Sequence, residues 1–292
     1  MQIGVVLSIE GNEQAGIPYR TVRDLALQAE QAGFDSLWLY DHLLFRSDES
    51  TAGQWECFTF LAALAEATEC ITLGTLVACT AFRNPALTAK IATALDEVSN
   101  GRFVLGLGAG WNEAEFHAFG LPFDHRVARF EEAVKIITPL VREGKVDFTG
   151  TYERAPDCMN IPRGPSPSGP PILVGAFGPR MVRIAAQYAD YINTSYPDEE
   201  AEQRWTMIEA TRNDAGQTTE LKISTPMWVA FDDLGTIPPH MAESRYQSAE
   251  AVAARLRQLD ALGTDHVMID FRPNHEASLT RISEALKLYR ES

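Results

Sequence analysis

The sequence predicts a single (β/α)8 barrel covering residues 1–292. Short apolar runs alternate with stretches of helical spacing, this unit recurs eight times, and the helices end on turn-forming residues. Such alternation calls for parallel strands joined by right-handed crossovers. Eight units close a barrel within about 250 residues, whereas a doubly wound open sheet, the competing architecture, usually needs fewer.

The first strand runs over Ile3–Ser8. Tyr19–Ala32 follows with Val22, Leu25, Ala26 and Ala29 at helical spacing, and Gly33 is placed to end it in a left-handed conformation. Ser36–Tyr40 is the second strand. Trp55–Thr68 is helical, with Phe58, Leu61, Ala62 and Ala65 on one face, and Ile71–Val77 is the third strand. The next helix carries a capping Asn84, Pro85 in its first position and a predicted buried stripe of Leu87, Ile91, Leu95 and Val98, and it stops at Asn100-Gly101. The remaining predicted strands are Phe103–Leu107, Pro171–Val174, Asp190–Thr194, Leu221–Phe231 and His266–Phe271. The remaining helices are Val127–Val141, Pro179–Ala189, Glu199–Asp214, Ser248–Leu262 and Ala277–Arg290. Leu43–Gly53, Gly144–Gly169 and Asp232–Gln247 interrupt the rhythm and are long enough to carry function. The second of these contains a hairpin, Val146–Phe148 with Tyr152–Arg154.

A net charge of −15 and the lack of any Lys/Arg run exclude the basic stripe that a nucleic-acid binder needs. The same charge opposes an anionic membrane surface, and no apolar stretch approaches the roughly 20 residues of a spanning helix. The expected partner is therefore a small molecule. None of the four cysteines sits in a C-x-x-C pair, so neither a metal nor a redox dithiol is expected. Cys57, Cys70 and Cys79 read as small core residues of a reduced, cytoplasmic protein, and the N-terminus lacks a basic, apolar leader.

In this architecture chemistry sits where strands end and helices begin. Four strand ends stand out. Tyr40-Asp41-His42 offers a carboxylate and an imidazole able to exchange a proton near neutral pH; a loop cap and a packed ring are the alternative. Thr75 to Pro85 reads mostly as buried strand and helix cap, with Arg83 as the exception. Gly106, Gly108 and Gly110 remove side chains where a flat ligand could approach, although a tight turn would also explain them; this is not a dinucleotide fingerprint, since Trp111 stands where the third glycine would be. Gly175-Ala176-Phe177-Gly178-Pro179-Arg180 runs from a strand into a helix whose free N–H groups, with Arg180, suit a phosphate.

Taken in order, Asp35 to His42, Leu73-Gly74-Thr75 with Asn84-Pro85, Asp96 to Arg102, Gly106 to Phe116, Gly178-Pro179-Arg180 and Ala185 to Asp190 resemble the luciferase-like monooxygenase superfamily, in particular its coenzyme F420-dependent branch. The resemblance spans nearly the whole chain. It implies that Asp41 lines a deazaflavin ring and that His42 donates the proton. It places Leu76-Val77 at a position that often holds a cis peptide behind the ring. Cys79 and Gly108 match ring-contacting positions, Gly175 to Arg180 the phosphate loop, and Thr194 a position near substrate; Gly106 and Trp111, at the glycine-rich strand end, are expected to line the cleft, with Trp111 as a packing anchor for the following segment as the alternative. F420-dependent sugar-phosphate dehydrogenases carry a carboxylate near Trp111, and its absence argues against that reaction. The implied activity is hydride transfer between F420 and a small organic substrate by a homodimer or higher homo-oligomer. An FMN-dependent monooxygenase and a non-catalytic flavin-binding barrel are the alternatives.

Overall fold

A computed structural model describes residues 1–46, 50–195, 201–214, 216 and 220–291. In chain order these residues form β1 (Gln2–Val6), β2 (Glu10–Asn12), α1 (Tyr19–Gln31), β3 (Ser36–Leu39), β4 (Leu44–Arg46), β5 (Thr51–Gln54), α2 (Cys57–Ala67), β6 (Thr72–Thr75) and β7 (Ala78–Cys79). Next come α3 (Pro85–Val98), β8 (Phe103–Gly108), α4 (Glu113–Ala118), α5 (Arg126–Arg142), β9 (Lys145–Thr149), β10 (Arg154–Met159), β11 (Ile172–Gly175) and α6 (Pro179–Tyr188). The chain finishes with β12 (Tyr191–Asn193), α7 (Ala201–Asp214), β13 (Lys222–Ala230), α8 (Ala249–Ala261), β14 (His266–Arg272) and α9 (Glu276–Arg290). The predicted residues Glu199 and Glu200 of the α7 helix lie outside the described residues.

Eight parallel staves follow in the order β1, β3, β6, β8, β11, β12, β13 and β14, and β14 pairs back onto β1 with Gln2 opposite His266. β8 meets β11 with Ile172 opposite Leu105, so the sheet has no open edge there. This is the (β/α)8 barrel that the alternation predicts. Its outer layer packs strand residues such as Ile3, Val5 and Leu37 against helix residues such as Val22, Leu25, Ala26 and Ala29. Inside the barrel, Trp38 lies where side chains of two neighbouring staves would stand. A Cβ on Gly74 would fall 2.2 Å from its ring and one on Gly4 2.9 Å from its indole nitrogen. Val6, Leu76, Val104, Leu173 and Met268 complete that inner plug.

Local chemistry sets the ends as expected. Asn84 Oδ1 accepts the N–H groups of Ala86 and Leu87, with Pro85 in the first turn of α3. Gly33 closes α1 at φ +85°.

Several expectations are corrected. The stripe chosen for α3 holds only in its middle: Leu95 is buried and Ile91 packs against the core, but Leu87 and Val98 are 52% and 47% exposed, and Thr88, Ala89, Ala92, Thr93 and Asp96 are buried instead. Small residues bring α3 close to its neighbours, and Asp96 is held by the Ser166 N–H and hydroxyl. The third stave, expected over Ile71–Val77, is described as β6 and β7, and the Leu76-Val77 peptide between them is cis, as the resemblance implies. Cys70 is exposed in the turn before β6, not a core residue. The hairpin forms, but its second strand begins at Arg154 and extends to Met159. The interruption after the second stave supplies β4 and β5, which join β2 from the segment after the first stave in a small antiparallel sheet.

Candidate active site

The C-terminal ends of the staves form the mouth of the barrel. His42 stands just past the end of β3, and its Nδ1 lies 3.0 Å from Oε1 of Glu115 on α4. Glu115 is only 1% exposed, and its second oxygen accepts the Leu43 N–H at 2.8 Å. Asn112, just before α4, donates from Nδ2 to the Leu44 carbonyl at 2.8 Å, tying the same two segments together. With its proton on Nδ1, His42 donates to the carboxylate, and no described residue is hydrogen-bonded to Nε2. An imidazole oriented in this way can pass a proton through Nε2 while the buried carboxylate balances its charge. Sequence reasoning missed Glu115. Nothing distinguishes it from Glu113 except its register on α4.

Asp41 takes a different position from the one expected. Its carboxylate is buried and held at both oxygens by Arg83, at 2.7 and 3.0 Å, and by the Cys79 N–H at 3.1 Å. It therefore braces the β3 and β7 ends from behind and presents no side-chain surface to the mouth. Arg83 also reaches Glu56 at 2.5 Å, which removes it as a free anion ligand. The two ends of the pair pull in opposite directions. Burial pushes the Asp41 carboxyl up, while burial of Arg83 is outweighed by the two carboxylates, which hold its pKa above the ordinary range. A guanidinium keeps its proton at any working pH, so the pair is ionic at neutrality. Burial raises the Cys79 thiol to about 12, leaving it a neutral wall.

Aromatic rings surround His42. Phe45 lies 4.6 Å and Trp111 5.6 Å from its ring, centroid to centroid, and Trp111 is 65% exposed. Tyr40, 6.5 Å away, donates its hydroxyl to Asp270 Oδ2 at 2.9 Å. Arg272 closes that network onto Asp270 and, at 3.5 Å, onto Glu10.

The glycines of the opposite wall answer to Val77. A Cβ on Gly108 would fall 2.5 Å, and one on Gly106 or Gly175 3.2 Å, from a Val77 methyl; the Gly106 Cβ would also strike the Thr75 carbonyl. Gly110, at φ +73°, leaves room for Phe116 and Cys79. The expected reason for these glycines, open space for a flat ligand, is thus corrected: the missing side chain of Gly106 admits the Thr75 carbonyl and that of Gly108 admits Val77, whose own surface is half-buried at the mouth. Leu76 is buried in the inner plug.

Of the expected phosphate loop, Ala176 is fully buried and its N–H is taken by the Asn193 carbonyl. Phe177, Gly178, Pro179 and Arg180 are exposed, and α6 begins with no side chain capping its N–H groups. Arg180 is paired with Glu131 at 2.7 Å, so its fork is available to an anion only in exchange for that carboxylate. Next to the loop, at the end of β12, Thr194 is buried with an unpartnered hydroxyl.

A cavity of about 140 Å³ occupies the opposite end of the barrel, lined by Ser36, Trp38, Tyr191 and His266 among others. Its Ser36 hydroxyl lies 2.7 Å from His266 Nε2 and accepts the Trp38 indole N–H at 2.7 Å. Burial lowers His266 to about 4, so this pair is a satisfied structural network rather than an activated nucleophile.

Residues 1–284 match the family model of the luciferase-like monooxygenases. The chain is 36% identical over 222 residues to an F420-dependent glucose-6-phosphate dehydrogenase of Intrasporangium calvum, covering 70% of this chain and 65% of that protein's length. It is 34% identical over 171 residues to a 5,10-methylenetetrahydromethanopterin reductase of Archaeoglobus fulgidus, covering 58% of this chain and 48% of the reductase. An F420-dependent secondary alcohol dehydrogenase, solved in complex with an F420-acetone adduct, superposes with a TM-score of 0.81 at 20% identity, over 99% of both chains. The chain therefore belongs to the luciferase-like monooxygenase family.

Proposed function

We propose that this protein is an oxidoreductase that moves a hydride between coenzyme F420 and a small organic substrate, with His42 handling the accompanying proton. The observation that carries the reading is the His42–Glu115 pair at the mouth, with Nε2 of the ring unclaimed by any described residue. The residues present fit a flat cofactor with an anionic tail: a half-buried Val77 beside small glycines, uncapped N–H groups at the start of α6, and the orphaned Thr194 hydroxyl. Val77, seated against Gly108, would hold the ring side with Gly175 and Cys79, and Phe177 to Arg180 the phosphate. When bound, F420 supplies the carbon that gives or takes the hydride. Asp41, through Arg83 and the Cys79 N–H, fixes the wall behind the ring; Glu115 holds the imidazole in one tautomer; and the aromatic rim limits water at Nε2. F420-dependent relatives at more than 30% identity support the choice of cofactor.

Titration of the purified protein with F420, followed by turnover of the reduced cofactor against a panel of carbonyl compounds, tests the reading. Micromolar binding and acceptor-dependent oxidation are expected. Binding of FMN instead, with consumption of oxygen, would replace it.

We further infer a single-domain, cytoplasmic homo-oligomer that binds no nucleic acid. The net charge of −15 and the unpaired cysteines support the compartment and the lack of nucleic acid. No described helix is long and apolar enough to cross a membrane. Exposed Leu87 and Val98 on α3, beside exposed Met159 and Ile161, support self-association through that face. Lys90, one turn along α3 from Leu87, donates from Nζ to the Ile161 carbonyl, which brings Ile161 to that face. Sedimentation of the wild type against Leu87→Asp tests it.

A further inference from the structure

The mouth around His42 has a chemical character that selects among acceptors, and on the reading above we infer that the substrate is an uncharged, ring-bearing carbonyl compound held flat between Trp111, Phe45 and Trp228. Trp111 and Phe45 bracket the imidazole, with ring centroids 6.3 Å from each other. Both rings touch His42, so an acceptor packed on them lies against the imidazole, whose Nε2 is hydrogen-bonded to no described residue. Trp228 stands on the far side of the same opening. Its strand neighbours Ile223, Met227 and Val229 face the helical layer, so the alternation of β13 turns Trp228 inward, level with Asp270 and 48% exposed. Large indole surfaces left in water at the opening of a barrel mark a surface that a ligand covers.

The charged groups argue against an anion. Among the described residues, Arg83 is held by Asp41 and Glu56, and Arg272 by Asp270 and Glu10. Arg126 donates to the Gly110 carbonyl and stacks on Phe123. These three guanidinium groups are already neutralised or turned into structure, exposed Arg46 alternates to the face of β4 opposite Phe45, and the chain as a whole carries −15. A carboxylate or phosphate on the substrate would have to break one of these pairings to gain a cation. A neutral acceptor gains a hydride at its carbonyl carbon and, from His42, a proton at oxygen. It leaves as the alcohol, with reduced F420 as the two-electron donor.

The test uses acetonaphthone, a neutral fused-ring ketone, against acetylnaphthoate, its carboxylated counterpart, and glucose-6-phosphate. Binding is measured by calorimetry on the F420-loaded protein and again without cofactor. Acetonaphthone should bind at least about tenfold more tightly than either anion, a difference of about 1.4 kcal/mol. Trp111→Ala should weaken its binding about tenfold while the midpoint of thermal unfolding stays within a few degrees, since most of that ring is exposed. Trp111→Glu should weaken it further. Equal or tighter binding of either anion, or unchanged acetonaphthone affinity in Trp111→Ala, would overturn the inference. If acetonaphthone binds with this selectivity but reduced F420 is not oxidised, the assigned pocket chemistry stands and the redox reading falls.

Discussion

His42 and Glu115 are 73 positions apart in the chain, yet Nδ1 of the first lies 3.0 Å from Oε1 of the second. The contact joins the end of the second stave to the short helix that follows the fourth. Because the other Glu115 oxygen takes the Leu43 N–H, the carboxylate fixes both the ring and the backbone that carries it. An acid that transfers a proton must be held at a constant distance from its target, and this pair supplies that constraint.

Replacement of His42 by Ala should slow turnover about 10²–10⁴-fold, the usual worth of a positioned general acid, with F420 affinity kept within a few-fold. Turnover and a cofactor titration on the same preparation measure both. Turnover near the wild-type rate would mean that water supplies the proton.

Glu115→Gln keeps an acceptor for His42 and loses the charge. It should reduce kcat about 10–100-fold, the range typical of groups that orient a functional ligand or acid. KM should change little, because Glu115 is buried behind the ring. A change confined to KM would place Glu115 in substrate binding instead.

Glycines at the mouth should divide sharply by position. A Cβ on Gly108 would sit 2.5 Å from Val77, so Gly108→Ala should cost about 1–3 kcal/mol and lower the melting temperature. Gly178 has nothing within 4 Å of its would-be Cβ, and its φ of −90° suits any residue. Gly178→Ala should therefore change stability by only a few tenths of a kcal/mol.

Arg180→Glu would place a second carboxylate beside Glu131, which now sits 2.7 Å from the guanidinium. F420 affinity should fall by well over the roughly 1 kcal/mol of an exposed ion pair, because the loop turns from cationic to anionic. Unchanged affinity would move the phosphate elsewhere.

Stability should depend on pH through His266. Burial, with Lys222 adding to it, lowers its folded-state pKa to about 4 from an ordinary 6.5. The unfolded chain takes up a proton below about 6.5 that the folded chain refuses. Stability is therefore full above that value and falls as pH drops towards 4. Between pH 7 and pH 5 this one group should remove about 2 kcal/mol. Denaturant titrations at the two pH values, repeated on His266→Asn, measure it. A variant that loses as much as the wild type would assign the dependence to other groups.

The sequence by itself determined the eight-fold alternation, the cap at Asn84 and Pro85, the stop at Gly33 and the placing of His42 at a strand end. These features are local: hydrophobic period, backbone freedom and hydrogen-bonding side chains act within a few residues of where they stand. Tertiary structure alone decided which groups are already spoken for. Arg83 reads as a free cation until Asp41 and Glu56 meet it, and Arg180 until Glu131 does. Glu115 reads as one acid among several until α4 turns it under His42. Gly106 and Gly108 read as open backbone until the Thr75 carbonyl and Val77 fill the space in front of them. The apolar side chains of α3 read as core until the smaller face packs instead, leaving Leu87 and Val98 outside. In each case the partner comes from a distant stave or helix, and barrel closure brings it within the few ångströms over which a charge pair or a steric contact acts.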